Sequence, residues 1–293
     1  MKKIIINTIL LLLISGAPVL AFSPIELSDL AYRAENGDHQ AQFILAETYF
    51  HGIDLPRDYE KAFEWLEKAA EGGHALAQNN LANIYDAGIG VARNPQKAAV
   101  WYRQAAEQGY VAAQHSLALM YFDGKDIEQD FANAFFWFSQ AAGQGYLWAQ
   151  YNLGTMYMNG LGTPQNYEKA FYWLYLAASE GHHTGAEYNV GVMYYYGRGV
   201  EQDYDLARDW FEKAAKKKDY EALTALGIMH QYGLGVRKNL EEAYKWFTIA
   251  YRFTPQKKES PLPAVIAKLA ESMSKSQIEV GEKNVEEWLR NNL

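Results

Sequence analysis

Apolar and polar positions recur along most of this chain with a period of 36 residues, and within each period they have helical spacing. One Trp marks each period, with steps of 36, 36, 36, 37 and 36 residues between Trp65, Trp101, Trp137, Trp173, Trp210 and Trp246. An Ala precedes each Trp by 24 residues, from Ala41 to Ala222. A unit repeated at a fixed period is typical of stacked repeats that contact only their neighbours. We therefore predict six repeats and look for function on a surface.

The first half of each period predicts a helix. Ala41, Leu45 and Tyr49 are four residues apart, so at about 100° per residue their side chains gather on one face. We interpret this face as core. The position directly after Leu45 and its equivalents holds only small residues, namely Ala46, Ala82, Ala118, Gly154, Gly191 and Gly227. This pattern favours close approach between helices of adjacent repeats.

A turn and a second helix follow in each period. Gly-x-Gly pairs such as Gly88 and Gly90 supply the positive φ of a helix end. A dinucleotide fingerprint is the alternative, but that motif follows a strand. Asp54 and Asp126 replace the second Gly, and we expect a left-handed backbone there too. Residues of the N-cap class then open the second helix, at Asp58, Asn94, Asp130, Asn166, Asp203 and Asn239.

The second helix carries the Trp of each period. We interpret all six Trp residues as structural core, because a buried Trp removes a large apolar area from water. The alternative is a stripe of rings that binds a ligand.

The ends of the array differ from the repeats. Residues 25–36 predict a lone capping helix, and Ser274 to Gln277 read as a capping box before a last helix. We assign 1–21 to a signal peptide, 22–37 to an N-terminal cap and 255–293 to C-terminal capping helices. The six repeats are assigned to 38–73, 74–109, 110–145, 146–182, 183–218 and 219–254, and the fold class is all-α.

The N-terminus predicts export. Lys2 and Lys3 precede an apolar run over residues 4–14, and Val19-Leu20-Ala21 provides a cleavage motif. We expect cleavage between Ala21 and Phe22. A membrane anchor is the alternative, but this run is well short of the roughly 20 residues that span a bilayer. The mature protein is then predicted to be periplasmic or secreted, with no stable membrane insertion.

Composition narrows the partner classes. The absence of Cys excludes disulfides, a thiol nucleophile and a Cys-ligated metal. Without Lys2 and Lys3 the chain has 25 basic and 35 acidic residues, a net charge of −10. This charge argues against nucleic acid and anionic membrane surfaces, and favours a neutral or basic partner.

Candidate chemistry is sparse. His182-His183 could form a metal pair, but no Cys or His-Glu-x-x-His helix accompanies it. The chain has no Gly-x-Ser-x-Gly elbow and no P-loop. We predict no enzyme, no cofactor and no metal site.

A candidate binding surface lies on the first helices, on the face turned away from the predicted core. Its residues follow the leading Ala by two, six or nine positions. The candidates are Phe43, Glu47, Phe50, Asn79, Asp86, His115, Phe122, Tyr151, Met158, Tyr188 and Tyr195. Exposed apolar and aromatic strips of this kind are typical of interfaces. The alternative is that these rings pack between neighbouring first helices.

The repeat resembles a known family. Residues 149–154 (AQYNLG), followed by Tyr157, Gly160, Gly162 and Trp173, are similar to the Sel-one-like repeat, a relative of the tetratricopeptide repeat. The resemblance covers residues 38–254. It implies a right-handed α/α solenoid that acts as an adaptor, often exported in bacteria for envelope regulation or host contact. A cysteine-rich branch of this family has been linked to β-lactam binding, and this chain lacks those cysteines.

Three functions remain open at this stage. The leading hypothesis is an exported, monomeric scaffold that binds a protein or peptide on its concave face. The second is binding of cell-wall glycan by the same rings. The third is a lactam-directed or hydrolytic enzyme of the envelope, for which no nucleophile and base can be named.

Overall fold

The structure is a computed structural model, described here for residues 22–180, 183–255 and 257–292. The predicted leader, residues 1–21, lies outside these described residues. Within them the chain forms fifteen α-helices and no β-strand. The helices are α1 Pro24–Glu35, α2 His39–His51, α3 Tyr59–Glu71, α4 Ala75–Ala87, α5 Pro95–Glu107, α6 Val111–Asp123, α7 Phe131–Gly143, α8 Leu147–Asn159, α9 Tyr167–Ser179, α10 Thr184–Tyr196, α11 Tyr204–Lys216, α12 Tyr220–Tyr232, α13 Leu240–Phe253, α14 Leu262–Glu271 and α15 Lys275–Asn292. None of these helices is long and apolar enough to cross a membrane.

The chain divides into two compact units between Tyr146 and Leu147. In the first unit α1 packs on α2, and the hairpins α2–α3, α4–α5 and α6–α7 follow, with α3 packed on α4 and α5 on α6. The second unit has the hairpins α8–α9, α10–α11 and α12–α13, and both α14 and α15 pack on α13. Stacked helix hairpins of this kind form an all-α solenoid, which confirms the predicted fold class.

Side-chain caps explain where the second helices begin. Each predicted Asx residue accepts a hydrogen bond from the backbone N–H three positions later, at 2.8–3.1 Å. Such a cap satisfies one of the N–H groups that lack a partner in the first turn. The predicted capping box before α15 is present, and a second one, not predicted, precedes α1. Ser23 and Glu26 bond reciprocally before α1, and Ser274 and Gln277 do so before α15.

The prediction of a left-handed backbone at Asp54 and Asp126 was wrong. Among the described residues other than Gly, Lys218 has a positive φ, of 68°. The two Asp carboxylates instead accept hydrogen bonds, Asp54 from the backbone nitrogen of Phe22 and Asp126 from Arg93. Asp therefore replaces Gly at this repeat position because it binds a group, not because it tolerates the turn.

The buried side chain of each second helix directly follows its Trp. This position is 4% exposed or less in every repeat, at Leu66, Tyr102, Phe138, Leu174, Phe211 and Phe247. Of the six Trp residues predicted as core, Trp210 is buried and the other five are half-buried. The next residue is rotated by about 100° around the helix and faces the hairpin directly, which leaves the Trp at the edge of the core. Lys68 lies 4.0 Å from the ring centroid of Trp65 and covers part of that edge.

Candidate binding surface

The predicted surface on the first helices is only partly open. Phe43, Phe50 and Asn79 are 5–6% exposed, so the prediction that they face solvent was wrong. The other eight candidates are half-buried. A first helix packs on its own partner helix and also on neighbouring repeats, so the face opposite its Ala and Leu stripe is covered as well.

Ring contacts between consecutive repeats account for part of the aromatic strip. Phe43 stacks on His74 with 4.7 Å between ring centroids, and Tyr151 stacks on His183 at 4.2 Å. The rings of His115 and Tyr146 are tilted relative to each other, with 5.0 Å between their centroids. In each pair a residue of a first helix packs on the residue that begins the next repeat. These rings therefore join neighbouring repeats, as the packing alternative expects.

Three further candidates also have partners within their own unit. Phe122 lies 5.5 Å from the ring of Phe131, and a carboxylate oxygen of Asp86 lies 3.3 Å from the guanidinium of Arg93. Met158 packs against the buried cluster of α9 and α10. None of these three lines either of the two cavities described next.

The first repeat contains a cavity of about 380 Å³ that is mostly apolar. It lies between α2, α3, α4 and the loop after α4, and three candidates, Phe43, Glu47 and Phe50, line it. The remaining lining residues are Ala46, Tyr59, Glu60, Ala62, Phe63, Glu64, Leu66, Ile84, Ile89, Gly90 and Val91. Its volume is in the range of small-molecule and side-chain binding pockets.

Leu66, which lines this cavity, differs from its equivalents in four other repeats. The same position carries a ring in four other repeats, at Tyr102, Phe138, Phe211 and Phe247, and each ring is buried. Leu66 is smaller than any of these side chains and lines the cavity. A ring at this position in the first repeat would occupy part of the cavity that Leu66 lines.

Glu47 gives the cavity its chemical character. Burial raises the pKa of its carboxyl group to about 7, because apolar walls disfavour the charged form. No described residue forms an ion pair with it. Glu60 and Glu64 of α3 also line the cavity and are exposed. An acid in this setting is suited to bind a cation, which would replace the water that the carboxylate lacks.

The second unit has a larger cavity, of about 560 Å³. The candidates Tyr188 and Tyr195 line it together with Phe211, and two exposed rings, Tyr196 and Tyr220, also face it. Tyr195 lies 5.2 Å from the ring of Tyr204 and 6.5 Å from that of Phe211. Burial raises the pKa of Tyr188 to about 12, so its hydroxyl stays protonated.

A buried polar ladder was missed by the sequence analysis. Gln42, Gln78 and Gln114 are buried, and each side-chain amide donates to a backbone carbonyl eight residues earlier, at 3.0–3.1 Å. At the equivalent place in the fifth repeat the buried side chain is Glu187, whose carboxylate lies 2.8 Å from Lys217. The signal was the recurrence of a polar residue directly after the leading Ala in five repeats.

The His pair considered as a metal site is divided by the structure. His182 lies outside the described residues. His183 caps α10, with its Nδ1 atom accepting from the backbone nitrogen of Ala186 at 3.2 Å. Within the described ranges no group of three His, Asp or Glu residues could hold a metal ion.

Comparisons with known proteins agree on the repeat. The family model described as Sel1 repeat matches residues 39–74, 75–110, 111–146, 149–182, 184–219 and 221–252. The chain is similar to c5321 of uropathogenic Escherichia coli, a protective antigen with an SLR fold, at 30% identity and a TM-score of 0.72. That match covers 92% of this chain, and this chain spans 56% of the antigen. A Sel1 repeat protein from Oxalobacter formigenes is 27% identical, with a TM-score of 0.67 and coverage of 78% of this chain and 94% of that one. A comparison with curated proteins found no match.

Proposed function

Because the chain belongs to the Sel1-repeat family, we propose that it is an exported, monomeric scaffold that binds a basic protein or peptide partner. Proteins of this family are generally interaction scaffolds and not enzymes. The charged and apolar stretch at the N-terminus supports export to the periplasm or beyond. The description of the E. coli relative as a protective antigen supports a role in the envelope or in host contact.

The observation that carries the proposal is the Glu47 cavity. It combines ring and aliphatic walls with one carboxyl group whose counter-ion is not among the described residues. A Lys or Arg side chain has the matching chemistry, an apolar stem with a terminal cation. Phe43 and Phe50 flank Glu47 on the same helix, and cations also interact favourably with ring faces.

The charge around the cavity supports the same partner class. Glu60 and Glu64 add two exposed carboxylates at the lining. Arg57 in the α2–α3 loop is engaged elsewhere, since it hydrogen-bonds to the carbonyl of His51 and lies 6.0 Å from the ring centroid of Tyr59. A negative rim of this kind attracts and orients a basic segment before it docks.

Two substitutions in the cavity test the proposal. Glu47→Gln removes the charge and keeps the shape, and Leu66→Phe fills the space with the side chain found at the equivalent position in the third repeat. Partners are captured from a bacterial envelope and culture fluid with the mature protein, and their affinities are then measured. For a partner that binds in the cavity, we expect either substitution to raise the dissociation constant about tenfold or more.

Glu71→Gln is the matched control, because Glu71 is an exposed acid on α3 that does not line the cavity. It should bind like the wild type. Partner binding that is equal in wild type, Glu47→Gln and Leu66→Phe would contradict a role for the cavity.

Cell-wall glycan is a second candidate ligand, favoured by the Tyr-rich cavity of the second unit. Tyr188, Tyr195 and Tyr196 present rings on which sugar faces could stack. Calorimetry with purified wall fragments tests this, with Tyr196→Ala expected to reduce the heat of binding and exposed Tyr232→Ala as the control. An absence of heat with the wild type removes this candidate.

We propose no catalytic activity for the chain. This proposal is supported by the general role of Sel1-repeat proteins as scaffolds and not as enzymes. Turnover of a chromogenic lactam or of purified cell wall by the mature protein would contradict it.

A further inference from the structure

The backbone nitrogen of Phe22 has a defined partner. It lies 2.9 Å from a carboxylate oxygen of Asp54 in a partly buried contact between α1 and the α2–α3 loop. The ring of Phe22 packs against the buried cluster of Leu30, Ala34, Ala41 and Leu45. Both the main chain and the side chain of Phe22 are therefore held by the first unit.

Asp54 stands at a repeat position that is otherwise occupied by Gly or by an Asp that binds a cation. The four Gly residues are Gly90, Gly162, Gly199 and Gly235. The other Asp is Asp126, which lies 2.6 and 2.9 Å from two guanidinium nitrogens of Arg93. At Asp54 the bonded group is the nitrogen of Phe22.

Phe22 directly follows the predicted cleavage site. Ser23 directly follows Phe22 and forms the capping box with Glu26 that starts α1. The bond between Ala21 and Phe22 is the one that the small-residue motif marks for cleavage.

We propose that Asp54 is a binding site for the α-ammonium group of Phe22 in the processed protein. The proposal rests on the proposed export. Hydrolysis of the Ala21–Phe22 amide by a signal peptidase consumes one water and leaves a carboxylate on Ala21 and an amine on Phe22, which takes up a proton. The neutral amide donor at Asp54 then becomes a cation, and the hydrogen bond becomes charge-assisted.

Processing would in this way strengthen the contact that holds the N-terminus on the α2–α3 loop. The carboxylate of Glu26 accepts a hydrogen bond from the backbone nitrogen of Ser23 and caps α1. Asp54 is the carboxylate bonded to the nitrogen of Phe22, so it supplies the attraction for the ammonium group.

The test measures thermal stability between pH 6 and pH 10.5 for residues 22–293, produced so that Phe22 is the first residue. The ordinary pKa of an α-amino group is about 7.7–8.0, and pairing with a carboxylate raises it in the folded state. The stability from the contact is then fully present below about pH 7.7 and lost as the pH rises through the raised pKa. We expect Asp54→Asn to have a lower melting temperature than the wild type at pH 7. This difference in melting temperature should nearly disappear by pH 10.5.

Asp126→Asn is the matched control. It removes the same carboxylate from the same repeat position, but its partner Arg93 stays charged over the whole range. The difference in melting temperature between Asp126→Asn and the wild type should therefore not change with pH. A deficit for Asp54→Asn that is absent, or that is as constant as that of Asp126→Asn, overturns the proposal.

N-terminal sequencing of protein recovered from an exporting bacterium separates this inference from the proposed export. A start at Phe22 is expected. A start at Met1 contradicts export, while the stability experiment still decides whether Asp54 binds the amine. A start at another residue overturns the proposed site in the natural protein.

Discussion

Glu47 differs in chemistry from every residue at its repeat position. Its equivalents are Asn83, Leu119, Thr155, Val192 and Ile228, all uncharged. In the second repeat the Asn83 side chain accepts a hydrogen bond from the hydroxyl of Tyr102 at 2.5 Å, and that ring occupies the position of Leu66. The first repeat thus has a carboxylic acid in place of a neutral amide, and it lacks the ring hydroxyl that donates to that amide. Such a residue is costly for folding alone, which favours a role in binding.

The stability of the free protein should fall as the pH rises towards 7 because of Glu47. Its carboxyl group has a pKa of about 7 in the folded state, above the value of about 4.3 in an unfolded chain. The folded state therefore holds a proton that the unfolded state has lost, and stability decreases between these two pH values. Glu47→Gln should remove this part of the pH dependence.

Denaturant unfolding from pH 4.5 to pH 8 checks this prediction. The Glu71→Gln control should keep the wild-type slope, because Glu71 is exposed on α3. A Glu47→Gln protein with the same pH dependence as the wild type would mean that burial does not perturb this acid.

At the scale of the helices, the sequence predicted where helices begin and end better than it predicted which of their faces are exposed. The Asx caps and Gly ends mark helix boundaries through local hydrogen bonds, and all six predicted caps are present. It is harder to predict which face of a helix is exposed, because a helix in a stack of repeats is covered on more than one side. Phe43 therefore appeared exposed in the sequence and is buried against His74.

The cavity and its acid show a second limit at this scale. The place of Glu47 on a helix face was visible in the sequence, and so was the ring that Leu66 replaces. Their proximity was not, since Leu66 belongs to the following helix and Ile84 to the next repeat. Contacts across three helices depend on packing that a period of 36 residues does not specify.

Lys218, at the end of a second helix, has a strained backbone conformation that a substitution can relieve. The second helices of the first three repeats are followed by a Gly with positive φ, whereas the fifth has Lys218 at φ 68°. A side chain in this conformation costs about 1–2 kcal/mol. Lys218→Gly should therefore raise the free energy of unfolding by about 1 kcal/mol.

Chemical denaturation measures this change, with Lys216→Gly as the control. Lys216 is the last residue of α11, in the ordinary helical conformation, and its replacement should be destabilising. A Lys218→Gly protein that is less stable than the wild type would contradict the account of strain at this position.

At the scale of the whole molecule, the repeats are alike in fold and unlike in a few side chains. The repeat supplies helices, caps and a core, and residues that differ between repeats line the cavity at Glu47 and form the contact at Asp54. Sequence alone identified the repeat, the family resemblance and the absence of a recognised catalytic motif. The cavity and the Asp54 contact could be located only once the position of each differing residue in the packed units was known.

The Glu47 carboxylate is proposed to bind a cationic group of the partner. The most direct measurement is the dissociation constant of the captured partner between pH 5.5 and pH 8.5, for wild type and Glu47→Gln. With a pKa of about 7 the acid is mostly neutral at the lower pH and mostly charged at the higher, while a Lys or Arg partner stays positive throughout. We predict that wild-type binding tightens about tenfold or more across this range and that Glu47→Gln binds equally weakly at both ends. Wild-type affinity that does not change with pH, or a pH dependence that Glu47→Gln retains, would contradict the claim.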